Sequence, residues 1–207
     1  MSKLLRMALE EASDGKANTE IEHVFYARVP DRAVLEQAAG WEHQEQWEIR
    51  IPKTDSNAGN GRVRIRMTQG PEKAKEYVLT TKTFKDNGDR IEVPIPTTED
   101  HFEQFKLLSE CGMRKDRYFF PVEGTDLVWE VDMFYQPGSV IGSKEYYEWC
   151  KIDLEVADRS APIPPLPFAL EDVIAAPYGK RTPEEEAIVS KLHGEVFATR
   201  NVHLQVA

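Results

Sequence analysis

The stretch from Gly61 to Val93 constrains the fold more than any other. It reads Arg62-Val63-Arg64-Ile65-Arg66-Met67, a reversal at Gly70-Pro71, then Tyr77-Val78-Leu79-Thr80-Thr81-Lys82, a second reversal at Asn87-Gly88, and Arg90-Ile91-Glu92-Val93. Side chains alternate between the two faces of a strand, so Arg62, Arg64 and Arg66 share one side and Val63, Ile65 and Met67 the other. Gly-Pro and Asn-Gly are strong reversal signals, and joins this short make antiparallel neighbours. The stretch therefore predicts a meander with one charged and one apolar face.

The same alternation returns in Glu20-Ile21-Glu22, Lys115-Asp116-Arg117-Tyr118-Phe119, Trp129-Glu130-Val131-Asp132-Met133-Phe134 and Lys151-Ile152-Asp153-Leu154-Glu155-Val156. Charges of both signs, two residues apart on strand after strand, predict polar faces that converge on a water-filled interior. Counting segments gives about eight strands, the number at which a closed barrel just encloses a small ligand. Acidic residues grouped on one wall (Glu20, Glu22, Glu92, Asp132, Asp153, Glu155) suit hard divalent cations, which take oxygen ligands. Basic residues on the other walls (Arg62, Arg64, Arg66, Lys82, Arg90, Lys115, Arg117) suit phosphate oxygens. A polyphosphate with its metal needs both.

The rest of the chain reads as follows. Residues 1–15 pattern as a short amphipathic helix, 19–29 as the first strand, 32–39 as a short helix, 46–51 as a strand and 52–61 as a polar loop. Thr97-Thr98-Glu99-Asp100 has capping-box spacing; Phe102, Phe105, Leu108 and Cys111 continue it at helical period, and Gly112 ends the helix. Strands follow near 115–122, 127–134 and 148–156. Pro162, Pro164, Pro165 and Pro167 force an extended strap, expected to carry a final helix across the outside. That helix starts at Thr182-Pro183-Glu184-Glu185, with Leu192, Val196 and Phe197 to dock it. The expectation is one domain over 1–207, with a barrel core at 19–156 and the strap and helix at 157–207.

A chain of 207 residues suffices for one core without covalent staples. Its net charge of −10 argues against a general nucleic-acid coat, which draws on a basic surface. Cys111 and Cys150 fit neither a disulfide framework nor a zinc spacing and read as buried packing residues. No apolar run is long enough for a membrane span, and the start has no secretory pattern, so the expected location is cytoplasmic, without membrane contact.

Thr19-Glu20-Ile21-Glu22-His23-Val24-Phe25 resembles the opening ExExK strand of the CYTH, or triphosphate tunnel metalloenzyme, superfamily. Arg62 to Arg66, Leu79 to Lys82, Arg90 to Glu92, Lys115 to Tyr118, Glu130 to Phe134 and Asp153 to Val156 resemble its later strands, in the same order. The resemblance covers residues 19 to 156. It implies an α+β fold: an eight-stranded antiparallel closed β-barrel, the triphosphate tunnel, with flanking helices. It further implies Mg²⁺ or Mn²⁺ at Glu20, Glu22, Glu92, Asp132, Asp153 and Glu155, with Glu20 and Glu22 in the catalytic role. Phosphate falls to Arg62, Arg64, Arg66, Lys82, Arg90, Lys115 and Arg117. The implied activity is metal-dependent hydrolysis of a triphosphate: tripolyphosphate, a nucleoside or thiamine triphosphate, or an RNA 5′-triphosphate end. Val24 stands where the motif has lysine and Pro94 where a second glutamate is usual. These departures carry the alternative of a catalytically weak or inactive tunnel that binds a nucleotide or polyphosphate. The sequence leaves the oligomeric state open.

Overall fold

The computed structural model describes residues 18–51, 61–84, 90–109, 111–136, 138–158, 160–175 and 181–197. The expected helix at 1–15, the loop at 52–60 and the Asn87-Gly88 reversal lie outside the described residues. The strands are β1 (Asn18–Glu20), β2 (Glu22–Arg28), β3 (Gly40–Ile51), β4 (Gly61–Gln69), β5 (Glu76–Phe84), β6 (Arg90–Pro96), β7 (Cys111–Pro121), β8 (Val128–Tyr135), β9 (Tyr146–Glu155) and β10 (Glu171–Ala175). A 3₁₀ turn spans Arg32–Gln37, and two α-helices follow, α1 (Glu99–Leu108) and α2 (Pro183–Phe197).

All described strands join one antiparallel sheet in the order β1-β6-β5-β4-β3-β7-β8-β9-β2-β10. β1 and β2 are separated only by Ile21. Asn18 to Glu20 pair with Glu92 to Arg90, whereas Glu22 to Arg28 pair with Glu155 to Trp149. Two consecutive pieces of chain thus bond to strands near opposite ends of the order. Among the described residues the strand pairing does not run into a complete ring, where a closed barrel was expected. It contains one strand beyond the expected eight, β10, and its opening strand is split in two.

Cross-strand register decides which side chains share a face. Arg62, Arg64 and Arg66 lie opposite Lys82, Thr80 and Val78 on one side and Arg50, Glu48 and Gln46 on the other. Gln44 and Glu42 continue to Lys115 and Arg117; these meet Phe134 and Asp132, and Asp132 meets Lys151. This face buries Gln44, Gln46, Glu48, Thr80, Glu92, Lys115, Asp132 and Asp153. Among the described residues only α2 packs against any of it, at one end, so the sheet itself curves around these groups. Contacts that skip a strand agree: Arg64 on β4 reaches Glu92 on β6 at 3.5 Å, and Arg117 on β7 reaches Asp153 on β9 at 3.7 Å. The charged face is the concave one.

The opposite, convex face carries most of the apolar core. Ala27, Trp129, Val131, Met133, Cys150, Ile152 and Leu154 pack under Leu35 of the 3₁₀ turn and under Leu166, Phe168 and Leu170 of the proline-rich strap. Trp129 Nε1 donates to the Pro165 carbonyl at 3.0 Å, tying strap to wall. A second patch, Ile65 and Met67, is covered by Phe102 and Phe105 of α1.

Several expectations are corrected. The strand expected at 46–51 begins at Gly40, six residues earlier. The helix expected at 32–39 is a 3₁₀ turn. α1 is capped by Thr98, whose hydroxyl accepts from His101 N, not by Thr97, and it ends at Leu108. Cys111 and Gly112 belong to β7, and Leu108 is exposed, so the apolar stripe stops at Phe105. Gly112 is opposite Trp47, and a Cβ there would stand 2.4 Å from the indole, which explains a glycine inside a strand.

α2 has the expected capping box: Thr182 N donates to Glu185 Oε2 at 2.7 Å and Glu185 N to Thr182 Oγ1 at 3.2 Å. It does not lie across the outside. Val189, Leu192 and Val196 pack with Tyr26, Met113, Phe134 and Ile174, which hold concave-face positions at one end of the sheet. The reason is local: there the charged face turns apolar, through Val24, Met113, Phe134 and Trp149. Phe197, the third expected docking residue, has a side chain outside the described residues.

Candidate functional site: a self-paired charged concavity

The concave face interleaves its charges instead of separating acidic from basic walls. Arg117 donates from Nε to Asp132 Oδ1 at 2.7 Å and from Nη2 to Asp132 Oδ2 at 2.8 Å. It also pairs with Glu130, and Lys115 pairs with Asp132. Lys151 Nζ lies 2.5 Å from Asp153 Oδ2. Lys82 and Arg64 converge on Glu92, and Arg62 lies 3.6 Å from Glu48. In each pair a group of one sign serves as the counter-ion of a neighbour on the same face: along one strand for Lys151 and Asp153, across an intervening strand for Arg64 and Glu92, and on the adjacent strand for the others.

The sequence-derived residues fall as follows. Arg62, Arg64, Arg66, Lys82, Glu92, Lys115, Arg117, Asp132 and Asp153 all hold concave-face positions. Glu22 and Glu155 are register partners at one end of the same face. Glu20 and Arg90 are register partners between β1 and β6, and their side chains lie outside the described residues. Of the six carboxylates expected to hold metal, the Glu20 side chain lies outside the described residues, and among the described residues no three acidic, histidine or cysteine side chains stand together as a metal site. Those seen in ion pairs are turned toward arginine and lysine.

Burial and charge together set protonation. Burial alone would raise the Asp132 carboxyl, but Arg117 and Lys115 outweigh it and hold it well below the usual carboxylate range. Burial pulls Lys115 down to about 7, with Arg117 repelling its charge and Asp132 opposing the shift. Glu130 is raised by burial against the pull of Arg117. Arg66 is brought down to about 10 by burial and by Arg64 and Arg117 beside it. No described residue forms an ion pair with Arg66, and its Nε is buried without a hydrogen bond. Asp153 Oδ1 is likewise a buried acceptor with no donor. Arg64 and Arg117 thus act on Arg66 as like charges on the same face, a repulsion that an anion would relieve.

Sequence reasoning missed Glu42, Gln44, Gln46 and Glu48, which line the concavity from β3. Glu42 and Gln44 precede the strand expected at 46–51, while Gln46 and Glu48 lie within it at the same period of two. Lys151 and Glu130 belong to the same alternation but are not among the candidate site residues that it suggests. On the convex side of the same strands, Asp116 accepts from Tyr135 at 2.8 Å and Tyr146 at 2.5 Å and contacts His43 Nδ1 at 3.0 Å, bracing β3, β7, β8 and β9 from behind.

No protein-family model matches the chain, and no curated protein is similar to it. The chain is similar to solved structures that include three named here. The inorganic triphosphatase NE1496 is 20% identical, with 81% of this chain and 93% of that one covered at a TM-score of 0.43. The PH1819 protein from Pyrococcus horikoshii OT3 is 18% identical, with 67% and 80% covered at 0.45. The putative adenylyl cyclase HpAC1 from Hippeastrum, described as having a dominant triphosphatase activity, is 14% identical, with 67% and 80% covered at 0.47. Among the described residues no helix is long and apolar enough to cross a membrane.

Proposed function

We propose that residues 18–28 act as a single strand closing the sheet into a tunnel, and that the tunnel binds and hydrolyses a triphosphate with a divalent cation, Mg²⁺ or Mn²⁺. The observation that carries the reading is the placement of Arg64, Arg66 and Arg117 on one concave face, close enough for Arg64 and Arg117 to act on the Arg66 charge, with the Arg66 Nε buried and without a hydrogen-bond partner. A phosphate chain satisfies such a set in the two-pronged geometry that arginine favours. Lys82, Lys115 and Arg62 would extend the grip along the chain, and Arg90 belongs to the same proposal by register.

The carboxylate donors suit a hard cation, and the unbonded Asp153 Oδ1 is an oxygen ligand to spare. Asp132, Asp153, Glu92, Glu22 and Glu155, with Glu20 by register, would hold it. When bound, the cation polarises the phosphoryl group and lowers the pKa of a water. The protein's own part is to position the chain of phosphates and, through Glu22 or Glu20, to take a proton from the attacking water. The clamp reads charge, so tripolyphosphate, a nucleoside or thiamine triphosphate and an RNA 5′ end all remain within its chemistry.

Incubation with tripolyphosphate or ATP and Mg²⁺ or Mn²⁺ tests this, with release of phosphate or pyrophosphate as the readout and Glu22→Gln as the inactive control. No release from any triphosphate with either metal refutes hydrolysis. A second reading, a tunnel that binds without turnover, is favoured by one observation: Val24 sits on the concave face but packs in the apolar cluster with α2. Stabilisation by tripolyphosphate without release would select it.

A further inference from the structure

We infer that the ion pairs of the concave face are exchange pairs: its carboxylates hold the place of the substrate's phosphates, and a divalent-cation site forms only once the anion has displaced them. The inference rests on the triphosphate reading above and goes beyond it by making the two ligands depend on each other.

The carboxylates seen in ion pairs are engaged at rest. Asp132 gives both oxygens to Arg117 and also pairs with Lys115, Asp153 gives Oδ2 to Lys151, and Glu92 is shared by Lys82 and Arg64. A divalent cation arriving alone would compete with an ammonium or guanidinium for each of these oxygens and would sit beside those positive groups. In a partly dehydrated site that repulsion is strong. Glu130, Asp132 and Asp153 gather around Arg117 and not around one another, and among the described residues no three such groups stand together as a metal site.

A polyanion changes the balance. Phosphate oxygens that take Arg64, Lys82, Lys115 and Arg117 leave Asp132 and Glu92, both almost fully buried, without their counter-ions. A buried carboxylate stripped of its partner is strongly unfavourable. A hard cation shared between the released carboxylates and the phosphate oxygens restores neutrality. Two groups provide the starting points: Arg66, whose Nε lacks an acceptor, for the anion, and Asp153, whose Oδ1 lacks a donor, for the cation. Linkage is reciprocal, so each ligand must tighten the other by the same factor.

The test uses calorimetric titration with tripolyphosphate, once in EDTA and once at buffered free Mg²⁺, together with thermal shifts by Mg²⁺ alone. The expected results are no stabilisation by the metal alone and an affinity for tripolyphosphate raised by metal within the roughly 5- to 150-fold range usual for coupled sites. Glu92→Gln should tighten metal-free tripolyphosphate binding, because Lys82 and Arg64 no longer have to be freed, and should diminish the gain from Mg²⁺. If that variant does not fold, Glu130→Gln, in the less buried partner of Arg117, makes the metal-free half of the test: tripolyphosphate should bind it more tightly in EDTA. Equal affinities with and without metal, Mg²⁺ binding to the empty protein as tightly as to the complex, or weaker metal-free binding in the variants would each overturn the inference while leaving the triphosphate reading in place. Failure of tripolyphosphate to bind under any condition would overturn both.

Discussion

Arg117 and Asp132 are direct register partners across β7 and β8, and the guanidinium holds both carboxylate oxygens through two parallel bonds. Asp132 is fully buried, so the pair owes its persistence to mutual neutralisation and not to solvent. Removing one member should therefore cost far more than removing both. Arg117→Met is expected to destabilise by about 3–5 kcal/mol, with Arg117→Met/Asp132→Leu milder than the single change. Urea denaturation of the two variants checks the order, and an equal or greater loss in the double variant contradicts it.

Arg66 is the opposite case: a half-buried side chain with a buried Nε, on the same face as Arg64 and Arg117, with its charged form disfavoured. Arg66→Met should raise the melting temperature of the ligand-free protein and weaken tripolyphosphate binding by tenfold or more, about 1.4 kcal/mol or above. Differential scanning fluorimetry with and without tripolyphosphate reads both effects. A lower melting temperature would mean that Arg66 has a stabilising role at rest.

Gly112 and Trp47 face each other with no room for a side chain. Gly112→Ala is predicted to cost about 1–3 kcal/mol by overpacking. Trp47→Leu should recover part of that loss in the Gly112→Ala background, although it is destabilising alone. A double-mutant cycle by chemical denaturation measures the coupling.

His193 on α2 meets the Tyr26 hydroxyl at 2.7 Å. Burial depresses its pKa, and Lys151, Arg181 and Arg62 add to the effect, while Glu186 opposes it. A histidine held neutral in the folded state leaves stability intact above its unfolded pKa of about 6.5 and loses it as pH falls below that toward the folded value. Stability should thus decline below about pH 6.5, and His193→Gln should flatten that part of the profile. Thermal melts from pH 8 to 5 test it; an unchanged profile in the variant would assign the decline elsewhere.

Period-two alternation was enough to read out most of the antiparallel strands, though neither the start of β3 nor β10, and to assign each of Arg62, Arg64, Arg66, Lys115, Arg117, Asp132 and Asp153 to the polar face of its strand, because a strand fixes the side of every second residue by geometry alone. The proline strap and the Thr182 capping box were equally local and equally legible. What sequence could not decide was anything that depends on a partner distant along the chain. Trp47 against Gly112 moved a glycine from a helix end into a strand. Apolar Met113, Phe134 and Tyr26, far apart along the chain, drew α2 onto the concave face. The charges followed the same rule: their signs and their side of the sheet are written in the chain, but which carboxylate neutralises which cation depends on curvature. That curvature brings Arg64 to Glu92 and Arg117 to Asp153 across an intervening strand.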